Sequence, residues 1–346
     1  MTKLTKTITI ALLSLLCMNS YGQRLVGDIS FDGLFDNREY KQDMNPQTIY
    51  GMRIMPRLGI QQDCHSFMVG VSKIWEFGSN DSIAPNLIMY YNYSGGRWSA
   101  WFGSIPRKSL RRQLPDAFLY DSIAFFEPTI NGTVFQYRGH LLDTELYCNW
   151  FSRQTEKQRE AFRIVWDGYM GGNAIGIGWF TAMTHFAKPK ESGHYIYEKL
   201  QFNPYLSVDL SALSVSGIRL SANAGVLCSM VRCRKDGHWY TPTGFLGDVL
   251  IGWHRFDIKN TLYCGDSQQP YLNDPEAGLT FHRSDPFYNH KFYNRTDMSV
   301  VLIRDRMVDM TFTWGLNYTP HSPVHNRQMI TLHYYLNANR RSELLP

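Results

Sequence analysis

Between Met307 and Tyr318 the chain reads MVDMTFTWGLNY, and its apolar residues, Val308, Met310, Phe312, Trp314 and Leu316, fall at every second position. Asp309, Thr311, Thr313, Gly315 and Asn317 lie between them. Successive side chains of a β-strand point to opposite faces, so the pattern predicts a strand with one greasy face and one wet one. The same alternation recurs along the chain. Ile218, Leu220, Ala222, Ala224, Val226, Cys228 and Met230 stand against Arg219, Ser221, Asn223 and Ser229. Leu142, Leu146, Cys148 and Trp150 oppose Asp143, Glu145 and Asn149, and Leu25, Ile29, Phe31 and Phe35 oppose Asp28, Ser30 and Asp32. No segment sustains a helical period.

Read this way, the sequence predicts strands over 24–35, 48–60, 65–77, 86–93, 97–105, 130–138, 141–152, 160–169, 174–186, 202–211, 216–231, 244–255, 258–264, 292–303, 307–318 and 328–337. The count is about sixteen, within 14–18, because 258–264 is short and 292–303 alternates poorly. Most of these strands are near ten residues, which at about 3.3 Å per residue and a tilt near 40° cover roughly 25 Å of height. Strands of soluble proteins usually run about 5–6 residues. The connections take turns between short (61–64, 94–96, 139–140, 170–173, 212–215, 256–257, 304–306) and long (36–47, 78–85, 106–129, 153–159, 187–201, 232–243, 265–291, 319–327).

Lys3 and Lys6 precede an apolar run from Ile8 to Met18, with Ser20-Tyr21-Gly22 beyond it. This reads as a secretory signal peptide over 1–22, cut before Gln23. The run is too short to span a membrane as a helix, which takes about 20 residues. Residues 23–337 then form the body of the protein and 338–346 a short tail. Losing Lys3 and Lys6 reduces the +5 charge of the full chain, which leaves no basic footprint for nucleic acid. Aromatic residues make up 14% of the chain and charged ones only 19%, a balance that suits a large apolar area and little aqueous surface. Beyond the signal peptide the cysteines are Cys64, Cys148, Cys228, Cys233 and Cys264; the odd number argues against a disulfide scaffold.

Long alternating strands, tight turns and long loops in strict rotation resemble a Gram-negative outer-membrane β-barrel of the porin type, across essentially all of 23–337. The fold class is therefore all-β, a transmembrane antiparallel up-and-down barrel with short periplasmic turns and long outer loops. In such a barrel the inner face is wet and the greasy faces meet lipid, because only a closed sheet satisfies every backbone group in hydrocarbon. Trp75, Phe77, Tyr91 and Tyr93, at strand ends, are placed in the interfacial girdles. One departure concerns the end of the chain: such barrels commonly finish on an aromatic residue of the last strand, whereas here Tyr334 and Tyr335 are followed by a tail ending at Pro346.

The resemblance implies a passive channel for small hydrophilic solutes, with outer-membrane lipid around it and no cofactor. A homo-oligomer is compatible with it. In general porins the third long loop folds into the lumen; here that loop, 106–129, carries Arg107, Lys108, Arg111, Arg112, Asp116, Asp121 and Glu127, which become the candidates for a constriction. The alternative is a solvated loop clasping the rim. The predicted lumen wall carries Arg53, Arg57, Arg97, Arg163, Arg219 and Lys259 against Asp143, Glu145, Asp167, Asp209, Asp248, Asp297 and Asp309, a nearly balanced set. A second functional class is a plugged docking or assembly barrel, to which Tyr271, Phe281, Phe287 and Tyr288 of the seventh long loop would lend an apolar surface.

Enzymatic barrels need their parts fixed on strands. The one His-x-Ser triplet, His282-Arg283-Ser284, lies in a long loop, so the expectation is that the chain is not an enzyme. Cys228, Cys233 and His238 are spaced by five, but Cys228 is predicted to face lipid, so no metal site is expected. Gly176 and Gly178 of the run GYMGGNAIGIG lack a helix to follow and predict a close approach to the inside of the wall.

Overall fold

A computed structural model describes residues 23–337 apart from 42–43, 82, 192, 212–216 and 321. The predicted signal peptide and the tail 338–346 lie outside the described residues. The predicted alternation becomes sixteen strands: β1 (Arg24–Glu39), β2 (Gln47–Gln62), β3 (His65–Glu76), β4 (Asn86–Gly95), β5 (Trp98–Pro106), β6 (Thr129–Arg138), β7 (Leu142–Ser152), β8 (Ala161–Gly171), β9 (Ile175–Phe186), β10 (Tyr197–Asp209), β11 (Ile218–Cys233), β12 (Thr243–Trp253), β13 (Phe256–Gly265), β14 (Phe292–Arg304), β15 (Val308–Tyr318) and β16 (His325–Tyr335). Each pairs antiparallel with its neighbour in sequence, and β1 closes on β16 through a register from Ser30↔Tyr335 to Glu39↔Asn326. Closure leaves no unpaired edge, which is the condition for a sheet in hydrocarbon.

Side chains sort across this wall as the period of two requires. One outward row runs Cys148, Ile164, Met183, Leu200 and Met230 across five successive strands in register. Phe102 is 68% exposed, Leu87 62% and Ile175 61%, values that would be a liability in water and are the expected state against lipid. Trp75, Phe77, Tyr91 and Tyr93 are exposed at the strand ends, as the girdle requires. Inward, Asp32, Asp36, Arg53, Glu145, Arg163, Asp167, Lys199 and Arg327 are buried, so the polar face does not simply meet water.

The strand ends differ from expectation where the alternation fails. β10 starts at Tyr197 rather than near 202, since Lys199 and Gln201 point inward while Glu198 points outward beside Arg232, its register partner on β11. A charged residue on the lipid side breaks the greasy-wet pattern, yet at the outer rim the ion pair makes it tolerable. β16 begins at His325, three residues earlier than expected, because His325 and Arg327 turn into the lumen. The glycines at 176 and 178 are close-packed: a Cβ on Gly176 would lie 2.3 Å from the ring of Tyr169, and one on Gly178 2.1 Å from the ring of Tyr205. Tyrosine rings, not a loop, occupy the room they leave. All five described cysteines are free.

Candidate functional site

The third long loop leaves β5 and β6 at a base closed by the Arg107 amide, which donates to Pro128 O at 2.7 Å. From there it enters the barrel. Lys108 Nζ reaches Asp32 of β1 at 2.5 Å and the hydroxyl of Tyr335 on β16 at 2.8 Å. Arg111 donates twice to Asp143 of β7, at 2.6 and 2.8 Å, and its amide meets the Glu145 carboxylate. Arg112 reaches Asp167 of β8 at 3.4 Å. On the way back Asp116 accepts from Arg295 of β14 and Asp121 from Arg327 of β16, each at 2.6 Å. A short helix, α1 (Asp121–Phe126), lays Phe125 within 5.2 Å of the Arg53 guanidinium. Phe118, Leu119 and Tyr120 are buried. The rim-clasping alternative is thereby excluded: the loop lies across the lumen and is tied to walls on several sides.

The seventh long loop, between β13 and β14, is also inside. Its helix α2 (Gly278–His282) and the segment after it bury Phe281, His282, Ser284, Asp285, Phe287 and Tyr288. Tyr120 N donates to Arg283 O at 2.7 Å and Asp285 N to Asp116 O at 2.8 Å, so the two inserted loops share backbone hydrogen bonds. The Glu127 carboxylate accepts from Arg283. The apolar surface expected of this loop is therefore spent on packing and offers nothing to a docking partner.

Charge is concentrated at this junction. Burial, then the nearby Asp116 carboxylate, pushes Asp285 up to about 7. Burial also raises Asp116, whereas for Asp121 burial is outweighed by Arg327, Arg295 and Arg38, which hold it below the usual carboxylate range.

Two cavities remain beside the loop, along β1, β2 and β16. One, of about 710 Å³, lies towards the outer side and is lined by Arg53, Arg107, Arg112, Asp116, Asp121 and Asp309, among others. The second, of about 860 Å³, lies towards the periplasmic turns and includes Arg57, Arg97, Asn92, Trp101, Gln136 and Arg138. Met55, Lys108, Leu110, Arg111, Tyr335 and Asn337 line both.

Six of the seven loop residues singled out in the sequence thus line a cavity; Glu127 does not, being turned to Arg283. Of the wall residues, Arg53 and Arg57 pair with Asp32 and Asp28 on the neighbouring strand, while Asp143, Glu145, Arg163 and Asp167 are occupied by the third loop. Arg97 sits in the β4–β5 turn, at the mouth of the periplasmic cavity rather than on the wall. Arg219 pairs with Asp257, Asp248 accepts from Asn223, Asp297 holds Arg295, Asp309 holds Arg304, and Asp209 accepts from Ser211 N. Lys259 stands opposite Asp297 in register. Sequence reasoning passed over Asp36, Arg295 and Arg327. Arg327 fell in a segment read as a loop, and Asp36 lay just past the predicted end of β1.

His282-Arg283-Ser284 is enclosed: His282 and Ser284 are each 0% exposed, and Ser284 Oγ accepts from Gln269 at 2.7 Å. Among the described residues no group of His, Cys, Asp or Glu has the arrangement of a metal site.

With this geometry in view, solved structures supply the class. The chain is similar to a loop-deletion mutant of OmpT, an outer membrane protein of Vibrio cholerae, at 7% identity and a TM-score of 0.55, over 91% of this chain and 99% of that one. It is similar to OpdO of Pseudomonas aeruginosa at 10% identity and a TM-score of 0.54, over 90% and 97% of the two chains. OccAB1 of Acinetobacter baumannii matches at 9% identity and a TM-score of 0.54, over 90% and 96%. At such identities the likeness shows the fold, and the fold is that of an outer-membrane β-barrel of the porin type. No curated protein matches the chain. Residues 21–170 match the family model described as Lipid A 3'-O-deacylase-type. That match overturns the expectation that the chain is not an enzyme. Its span ends well before His282 and Ser284, so the matched region does not contain that triplet.

Proposed function

We propose that the chain is a channel of a Gram-negative outer membrane through which small hydrophilic solutes diffuse, narrowed by the third long loop. The observation that carries this reading is the passage of that loop across the lumen, tied to β1, β7, β8, β14 and β16 by charged groups. Beside it two cavities, the periplasmic one mainly polar, meet around Lys108, Leu110 and Arg111. The seventh loop fills the opposite side, so solutes would pass along β1, β2 and β16. Selection would follow from width and from fixed charges at the narrowing. The porin fold of the neighbours supports it. Purified protein in planar bilayers should give discrete conductance steps; their absence across salt and voltage would overturn the proposal.

A second reading, hydrolysis of an acyl ester on an outer-leaflet lipid, is favoured by the family-model match over 21–170. Mass spectra of lipid A from cells expressing the protein would show loss of an acyl chain on that reading, and an unchanged spectrum would reject it.

A further inference from the structure

Behind the junction of the two inserted loops, on the wall of β8 and β10, positive charge outnumbers negative. Lys199 of β10 is 1% exposed, and the polar atom it meets is His282 Nδ1 at 3.4 Å. Arg163 of β8, 3% exposed, gives Nη1 to Phe118 O at 2.6 Å and Nη2 to Gln201 at 3.4 Å. Arg283, 3% exposed, binds the Glu127 carboxylate and stacks on Phe151 at 4.1 Å. Arg107 gives Nε to the backbone oxygen of Glu127 at 3.1 Å. Of these four cationic side chains only Arg283 meets a carboxylate; the polar atoms met by the other three are neutral. The next acids outward are engaged elsewhere: Asp167 holds Arg112, and Glu145 accepts from Gln136 and the Arg111 amide.

Donors are also left over. Arg163 Nε and His282 Nε2 are buried without a hydrogen-bond acceptor among the described residues. Burial and the adjacent ammonium hold His282 well below its usual range, so the ring is neutral. With Nδ1 facing the ammonium, Nδ1 accepts and Nε2 carries the hydrogen. A buried cation without a counter-charge costs several kcal/mol, and a buried donor without an acceptor costs more on top. Water could satisfy the donors but would not balance the charge, and a lysine so placed either loses its proton or gains a counter-ion.

We propose that this cluster of Lys199, Arg163, Arg107, Arg283 and His282 binds a small inorganic anion, a halide or phosphate. The anion would fasten both inserted loops to the wall, because Arg163 holds Phe118 of the third loop and Lys199 faces His282 of the seventh. Arg107 also lines the outer of the two cavities, whereas Lys199, Arg163, Arg283 and His282 line neither, so the site stands beside the assigned solute path and does not depend on that assignment.

The test uses the full-length protein in detergent, dialysed into gluconate and titrated with chloride, bromide or phosphate at constant ionic strength. The expected result is a saturable rise of a few degrees in the unfolding midpoint. Lys199→Met should abolish the anion dependence while raising the midpoint in gluconate, because it removes the unbalanced charge. Should that variant fail to fold, crystals of the unaltered protein soaked in bromide decide the matter: an anomalous peak within hydrogen-bond reach of Lys199 Nζ or Arg163 Nε is expected. Absence of the peak, or a midpoint indifferent to the small anions, would overturn the proposal.

Discussion

Lys108→Ala is the substitution that most sharply tests the narrowing. The side chain lies on the lining of both cavities, ties to Asp32 at 2.5 Å and to Tyr335 at 2.8 Å, and stands 4.5 Å from the centre of the Tyr335 ring. Truncation should cost little stability. Asp32 keeps Arg53 at 2.6 Å and His333 at 2.7 Å, and Lys108 is 30% exposed, so the lost pair is worth about 1 kcal/mol. The effect on passage should be larger. One positive charge disappears from the proposed narrowing, and at about 5 Å in water-like surroundings a unit charge contributes roughly 0.8 kcal/mol to an ion. That is roughly a fourfold change in the occupancy of each ion, up for cations and down for anions. Single-channel conductance should rise as the two cavities join, and the reversal potential in a salt gradient should move towards cations. Unchanged conductance together with an unchanged reversal potential, in a variant that folds, would show that the cavities are not in series.

Asp285 makes the loop junction pH-dependent. Its folded value of about 7 lies above the ordinary carboxylate value of 3.8, so its contribution is fully present below pH 4 and is lost as pH rises through 7. The span of about three units corresponds to roughly 4 kcal/mol at most. Amide exchange in 266–291, taken relative to the intrinsic base-catalysed rate at each pH, should therefore quicken between pH 5 and 8, and Asp285→Asn should flatten that dependence; a slope in the opposite sense would contradict the burial argument. Phe202→Arg places a charge among lipid tails and should cost about 2–4 kcal/mol in bilayers, measured by urea unfolding in liposomes. A neutral outcome would mean that the face is not lipid-exposed. Cys64, exposed in a tight turn, should escape a membrane-impermeant maleimide in intact cells and react once the outer membrane is breached. Labelling of intact cells would invert the assigned orientation.

The wall was legible in the sequence because lipid on one side and polar lumen on the other enforce a strict period of two. Val308, Met310 and Phe312 are sorted by that rule alone. It failed at Glu198 and Arg232, where an outward ion pair at the rim imitates a lumen-facing residue, and so the start of β10 was read as a loop. The third loop stood out through its mixture of charge and bulk, yet its path rests on partners hundreds of residues away, such as Arg295 and Arg327, which alternation cannot connect to it. The seventh loop shows the same limit. Phe281, Phe287 and Tyr288 look like adhesive surface when read in isolation and are interior packing once the barrel surrounds them.

Lys108 touches the first strand through Asp32 and the last through Tyr335. These two strands flank the seam, and they meet only after the whole chain has been threaded, since Ser30 pairs with Tyr335. The ties to β7 and β8 can form earlier, but the bridge that Lys108 makes across the seam waits until the circle is complete, so the loop gains that last fastening as a concluding event of assembly.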